Sequence, residues 1–156
     1  MTYGKDMIGV ITGAGSGIGR ALAQQLNQAG CELHLSDINP DSLAETISSL
    51  SREDVAAHPQ LLDVADRKAV HAWADQIEQQ SGHVNIVVNN AGVALAATVE
   101  ESDYKDLDWL ININMWGVIQ GTMAFLPLLR KSKQGHLVNI SSVFGLVSVP
   151  TQSAYN

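Results

Sequence analysis

Short apolar runs rich in Val, Ile and Leu recur at residues 7–11, 32–36, 85–88 and 136–140, and most of them do not alternate with polar positions. Continuous runs of this length fit parallel strands covered on both faces, because a strand with one wet face alternates apolar and polar side chains. A fifth strand fits residues 57–62, where Pro59 cannot donate to a ladder and so restricts the segment to an edge or an irregular start. Between the runs the apolar spacing changes from two to three or four. Ile18, Leu22, Leu26 and Ala29 form one helical stripe closed by Gly30, and Leu43, Ile47 and Leu50 form a second that starts at the cap-and-proline pair Asn39-Pro40. Val70, Trp73 and Ile77 form a third, which stops at Ser81-Gly82.

The order β-α-β-α-β-α-β-α-β predicts an α/β fold. It is a doubly wound parallel sheet of Rossmann type, three layers α/β/α, with right-handed crossovers and a ligand crevice outside the carboxyl ends of the strands. Residues 114–131 differ from the other helical segments, since Met115, Trp116, Val118, Ile119, Met123, Phe125, Leu126, Leu128 and Leu129 make the segment apolar nearly all round. One face on a sheet cannot account for so many. The second face is expected to be covered either by other parts of the same chain or by another subunit, which would make the protein a homo-oligomer through this helix.

A length of 156 residues with 46% apolar and 16% charged positions fits one globular domain, residues 1–156, with a real core. The formal charge of −7 argues against nucleic acid as a partner, because binding a phosphate backbone calls for basic patches. A lone cysteine, Cys31, excludes an intramolecular disulfide and a cysteine zinc cluster, and His34, His58, His71, His83 and His136 show no ligand spacing, so no metal site is expected. The N-terminal segment carries one short apolar run and the acidic Asp6, which matches neither a signal peptide nor a membrane span; the expected compartment is the cytoplasm.

Chemistry enters with Thr12-Gly13-Ala14-Gly15-Ser16-Gly17-Ile18-Gly19, placed between the first apolar run and the first helical stripe. Glycines permit a sharp turn and close approach of a ligand to the backbone, while the helix that follows offers N–H groups and the positive end of its dipole to an anion. The spacing is G-x-x-x-G-x-G through Gly13, Gly17 and Gly19, distinct from the common G-x-G-x-x-G. An ordinary glycine-rich turn is the alternative. A phosphotransferase is excluded because Ile18-Gly19-Arg20 lacks the Lys-[Ser/Thr] pair that holds phosphate and magnesium. Asp37 ends the second run 18 residues after Gly19, where a carboxylate can accept from both hydroxyls of an adenosine ribose and would repel a 2′-phosphate. Neither Ser16 nor Ile38 supplies a positive charge, so NAD is favoured over NADP; the alternative for Asp37 is a turn cap in Asp-Ile-Asn-Pro.

With Thr12 to Gly19 and the later Asn89-Asn90-Ala91-Gly92, the chain resembles, along its whole length, the shorter single-domain branch of the short-chain dehydrogenase/reductase family. The first segment matches that branch's T-G-x-x-x-G-x-G and the second its N-N-A-G. The resemblance implies that Gly13, Ser16, Gly17, Ile18, Gly19 and Asp37 bind the cofactor. Asp63 and Val64 would receive the adenine, and Asn90, Ala91 and Gly92 would run beside the cofactor while tying strand ends together. Asn89 reads as structural, and Asp63 has helix capping as its alternative.

The resemblance also makes Ser142 a hydrogen-bond donor to the substrate oxygen, Tyr155, 13 residues further on, the proton carrier, and Asn114 the holder of a relay water. A tyrosine with its ordinary pKa near 10 is a poor base at neutral pH, and the family supplies a lysine four residues on, in Y-x-x-x-K. That position would be 159, and the sequence ends at Asn156. The 156 residues alone are therefore expected to be inactive, with Tyr155 frayed, and to belong to a longer NAD(P)-dependent oxidoreductase that interconverts a secondary alcohol and a ketone. The alternative is a catalytically inactive nucleotide-binding or assembly module. The apolar stretches 93–97 and 143–147 fit either an apolar substrate or core packing.

Overall fold

The computed structural model describes residues 4, 5 and 7–155; Asp6, part of the N-terminal reading, and Asn156 lie outside the described residues. Five parallel strands, β1 (Ile8–Thr12), β2 (Glu32–Asp37), β3 (Ala57–Leu61), β4 (Ile86–Asn89) and β5 (His136–Asn139), form one sheet in the order β3-β2-β1-β4-β5. Every residue of β1 and β4 is buried, as expected of central strands with helices on both faces.

Helices α1 (Gly17–Ala29) and α2 (Pro40–Ser48) follow the first two strands, and the core on their side joins Ile11, Leu33, Leu35, Leu43 and Val88. Helices α3 (Arg67–Ser81) and α5 (Gly117–Lys131) belong with the other core, where Trp73 meets Phe125 edge-on at 5.3 Å between Val10, Val87 and Leu128. The α/β/α layering is thus as the pattern predicts. Among the described residues no helix is long and apolar enough to cross a membrane.

Three features depart from the pattern. The buried face of α1 is Gly19, Ala23 and Asn27, with Leu22 and Leu26 half-buried, while Ile18 and Ala29 are exposed. Small residues let this helix lie close to β1. The Asn27 amide uses its burial by exchanging two hydrogen bonds with the backbone of Arg52, at 2.9 and 3.2 Å. Strand β5 is not covered on both faces: it is an edge, and Leu137 and Val138 are exposed. Helix α4 (Tyr104–Ile111), capped by Asp103 accepting from Asp106 N–H at 2.8 Å, has no counterpart in the pattern, because Leu110 is its one buried residue.

A π turn, Asn112–Trp116, joins α4 to α5, so the apolar segment begins inside a longer helical run. Helix α5 turns Gly117, Gln120, Gly121, Ala124, Phe125, Leu128 and Leu129 inward and leaves Ile119 and Met123 exposed four residues apart, and Met115 of the π turn is exposed as well. Among the described residues nothing covers that face.

Candidate functional site

The chain runs outward from β1 through β2 to β3 and then returns to β4 on the other side of β1, so the direction of winding reverses between β1 and β4. Beyond the carboxyl ends of two such strands the adjoining loops part and leave a crevice. Thr12 and Asn90 hold its floor together. The Thr12 hydroxyl accepts from the N–H groups of Asn90 and Ala91 at 3.0 and 3.1 Å, and the Asn90 amide donates to the carbonyls of Thr12 and Gly13 at 2.9 and 3.0 Å.

These contacts explain two of the glycines. Gly13 has φ +64°, and a Cβ there would lie 2.8 Å from Ala91 Cα. At Gly19 a Cβ would lie 2.2 Å from the Gly13 carbonyl oxygen and 2.6 Å from Asn90 Nδ2. Gly19 is therefore packed under the turn and does not line the crevice. Helices α2, α3 and α4 are capped by Asn39, Asp66 and Asp103, whereas the N-cap of α1, Ser16, makes no side-chain cap bond. The uncapped first turn of α1 borders the crevice through Ser16, Gly17 and Ile18.

The crevice has a volume of about 940 Å³. Gly13, Ser16, Gly17, Ile18, Asp37, Asp63, Val64, Asn90, Ala91, Gly92, Asn114, Ser142 and Tyr155 all line it, so every candidate residue except Gly19 meets in one place. The Asp37 carboxylate accepts from Gly15 N–H at 2.8 Å and from Asn39 N–H at 2.9 Å. It caps its own turn and pins the glycine turn while facing the crevice. Asp63 accepts from Ala65 N–H at 2.9 Å, and the cap of α3 is Asp66, not Asp63. Asn89 is buried and donates to Asn139 Oδ1 at 2.9 Å and Thr122 Oγ1 at 3.2 Å, tying β4 to β5 and α5, a structural role.

On the far wall, Asn114 lies in the π turn and exchanges two 2.8 Å hydrogen bonds with the backbone of Val93. One amide hydrogen and one carbonyl lone pair stay available. Ser142 Oγ accepts from Phe144 N–H at 3.1 Å, which leaves the hydroxyl hydrogen free to donate. The Tyr155 ring packs edge-on against Phe144 at 6.2 Å and its N–H donates to Gln152 O at 2.9 Å. Nearby, Val143, Leu146 and Val147 are exposed among the described residues.

Sequence reasoning missed a brace behind the glycine turn. The Arg20 guanidinium donates to the Gly15 carbonyl and, through Nε, to Thr46 Oγ1 at 2.9 Å, and it pairs with Glu45 at 3.0 Å. The buried Thr46 hydroxyl in turn donates to the Ala14 carbonyl at 2.9 Å. Nothing local in the sequence announces this contact, which spans the gap between α1 and α2.

Comparison with known proteins gives a consistent picture. The family model described as short chain dehydrogenase matches residues 8–156. SadH of Mycobacterium tuberculosis is 49% identical over 156 residues, which are all of this chain and 56% of that protein. A short chain dehydrogenase/reductase from Burkholderia phymatum, solved in complex with NAD, superposes with a TM-score of 0.92 at 35% identity, over 99% of this chain and 55% of that one. A metagenomic short-chain oxidoreductase solved with NADP also reaches 0.92, at 28% identity over 98% of this chain and 70% of that one. The chain thus spans about half the length of the first two.

Gly19→Ala is expected to lower the free energy of unfolding by about 1–3 kcal/mol, the usual cost of overpacking, because neither the Gly13 carbonyl nor the Asn90 amide can move without losing the Thr12 clasp. Urea unfolding followed by circular dichroism measures it, and an unchanged midpoint would show that the turn is not held as described.

Proposed function

Since the chain belongs to the short-chain dehydrogenase family, we propose that its crevice takes a nicotinamide dinucleotide and serves an oxidoreductase that interconverts a secondary alcohol and a ketone. The observation that carries this reading is the uncapped N-terminus of α1 beside two glycines that admit no side chain, opening onto the same cavity as Asp37, Ser142 and Tyr155. Such a cradle fits a pyrophosphate, whose charge the helix N–H groups and dipole favour. Gly13, Ser16, Gly17 and Ile18 would hold it, with Gly19 supporting the turn from below. Asp63 and Val64 would border the adenine, and Asn90, Ala91 and Gly92 would flank the cofactor along the crevice floor.

NAD is the proposed cofactor, with NADP disfavoured. The Asp37 carboxylate is fixed at the end of β2 by two N–H donors, and a 2′-phosphate beside it would meet like charge. The bound dinucleotide supplies the redox chemistry. Among this chain's residues, the Ser142 hydroxyl donates to the substrate oxygen, and the Tyr155 phenol exchanges a proton with it. Asn114 fixes residue 93 against the helix and has one donor left for a water of the proton path.

The same reading places the protein in the cytoplasm as a homo-oligomer. The uncovered Met115, Ile119 and Met123 support a second copy as the cover, and a monomer by light scattering at micromolar concentration would remove that proposal.

Asp37→Ser in the intact enzyme is expected to weaken NADH binding about ten- to a hundredfold, the value of one or two charge-assisted hydrogen bonds, without weakening NADPH. Equal affinities of the unaltered protein for the two cofactors, by fluorescence titration, would refute the role given to Asp37. Tyr155→Phe is expected to lower kcat by about 10²–10⁴ while NADH affinity holds, and an unchanged rate would mean that another group carries the proton.

A further inference from the structure

Strand β2 alternates Glu32, His34 and Ser36 with Leu33 and Leu35, and the two leucines pack in the α1–α2 core. Glu32 and His34 therefore point to the opposite face of the sheet, since alternate side chains share a face. The parallel register pairs His34 with His58 of β3, which puts both imidazoles on that face, side by side. Their rings stack with centroids 4.7 Å apart and planes 21° from parallel. A single carboxylate oxygen, Glu32 Oε1, lies 3.3 Å from His58 Nε2 and 3.6 Å from His34 Nε2, and the three atoms fall within 4.8 Å of one another.

Hydrogen bonding does not account for this arrangement. His34 is only 2% exposed, and its Nε2 has no hydrogen-bond partner among the described residues, although a buried polar atom ordinarily finds one. The atom lies 3.6 Å from Glu32 Oε1. Bonds of about 2.0–2.1 Å to a tetrahedral ion set neighbouring ligand atoms on the order of 3.3 Å apart, close to both separations from the carboxylate.

We propose that Glu32, His34 and His58 form a binding site for one divalent transition-metal ion of the zinc class. Two imidazoles and one carboxylate suit that class, and they disfavour magnesium or calcium, which prefer all-oxygen sets. An ion there would join the central strand β2 to the edge strand β3. The ion would reach the buried His34 from the side of His58 and Glu32, which are the accessible members. None of the three residues lines the crevice, so the site is independent of the dinucleotide reading and can fail without it.

The test is titration of the intact protein with Co²⁺, followed by its visible d–d absorption, then displacement by Zn²⁺, with melting temperature as a second readout. One equivalent should bind with tetrahedral-type absorption, and Zn²⁺ should raise the melting temperature. His58→Asn and Glu32→Gln, both at accessible positions, should each weaken binding at least about tenfold and abolish the Zn²⁺-dependent rise, with NADH titration unchanged. No stoichiometric binding, or equal binding in both variants, overturns the proposal; the second result would move the ion to other histidines. If one variant is poorly folded without metal, the other decides.

Discussion

The clasp between Thr12 and Asn90 is the constraint on which the crevice depends. Where two neighbouring parallel strands end and their loops part, backbone groups lose their ladder partners, and an unpaired buried N–H or C=O is costly. Here one hydroxyl and one carboxamide meet that need while occupying little space. The crevice above them stays open. Because the clasp brings the two segments so close, Gly13 and Gly19 have no room for a Cβ, and α1 begins directly at the rim. Arg20 of α1 and Thr46 of α2 secure the same turn from behind, so it is held on both sides.

Layering of the sheet follows a simpler rule. β1 and β4 are apolar on both faces because helices cover both, and the two cores are separated by the alternation of side chains along each strand. The edges obey a different requirement. β3 carries Pro59 and polar residues, and β5 leaves Leu137 and Val138 open. Helix α5 is the exception among the helices, since its inward face is complete and its apolar residues continue around to the outside.

Much of the site was legible in the sequence because its chemistry is local. The glycine turn and Asp37 at the end of a strand are set by backbone geometry over a few residues, and Ser142 and Tyr155 were legible through the family resemblance. Helix α4 was not legible, because a helix with one buried residue carries almost no periodic signal. Nor was the half-buried role of Arg20, whose partners lie on another helix. The same holds for Glu32, His34 and His58: along the chain the histidines look scattered, and only strand register sets them side by side.

The sequence by itself determined the alternation of strands and helices, the parallel sheet and the position of the phosphate-type turn. All of these follow from periodicity and from local backbone demands. The tertiary structure alone decided which face of α1 packs, that the Tyr155 ring meets Phe144 edge-on, that Asn114 spends its amide on Val93, and which polar side chains converge across strands. Those outcomes depend on distances between segments far apart in the chain. Register and packing fix such distances, and no short stretch of residues encodes them.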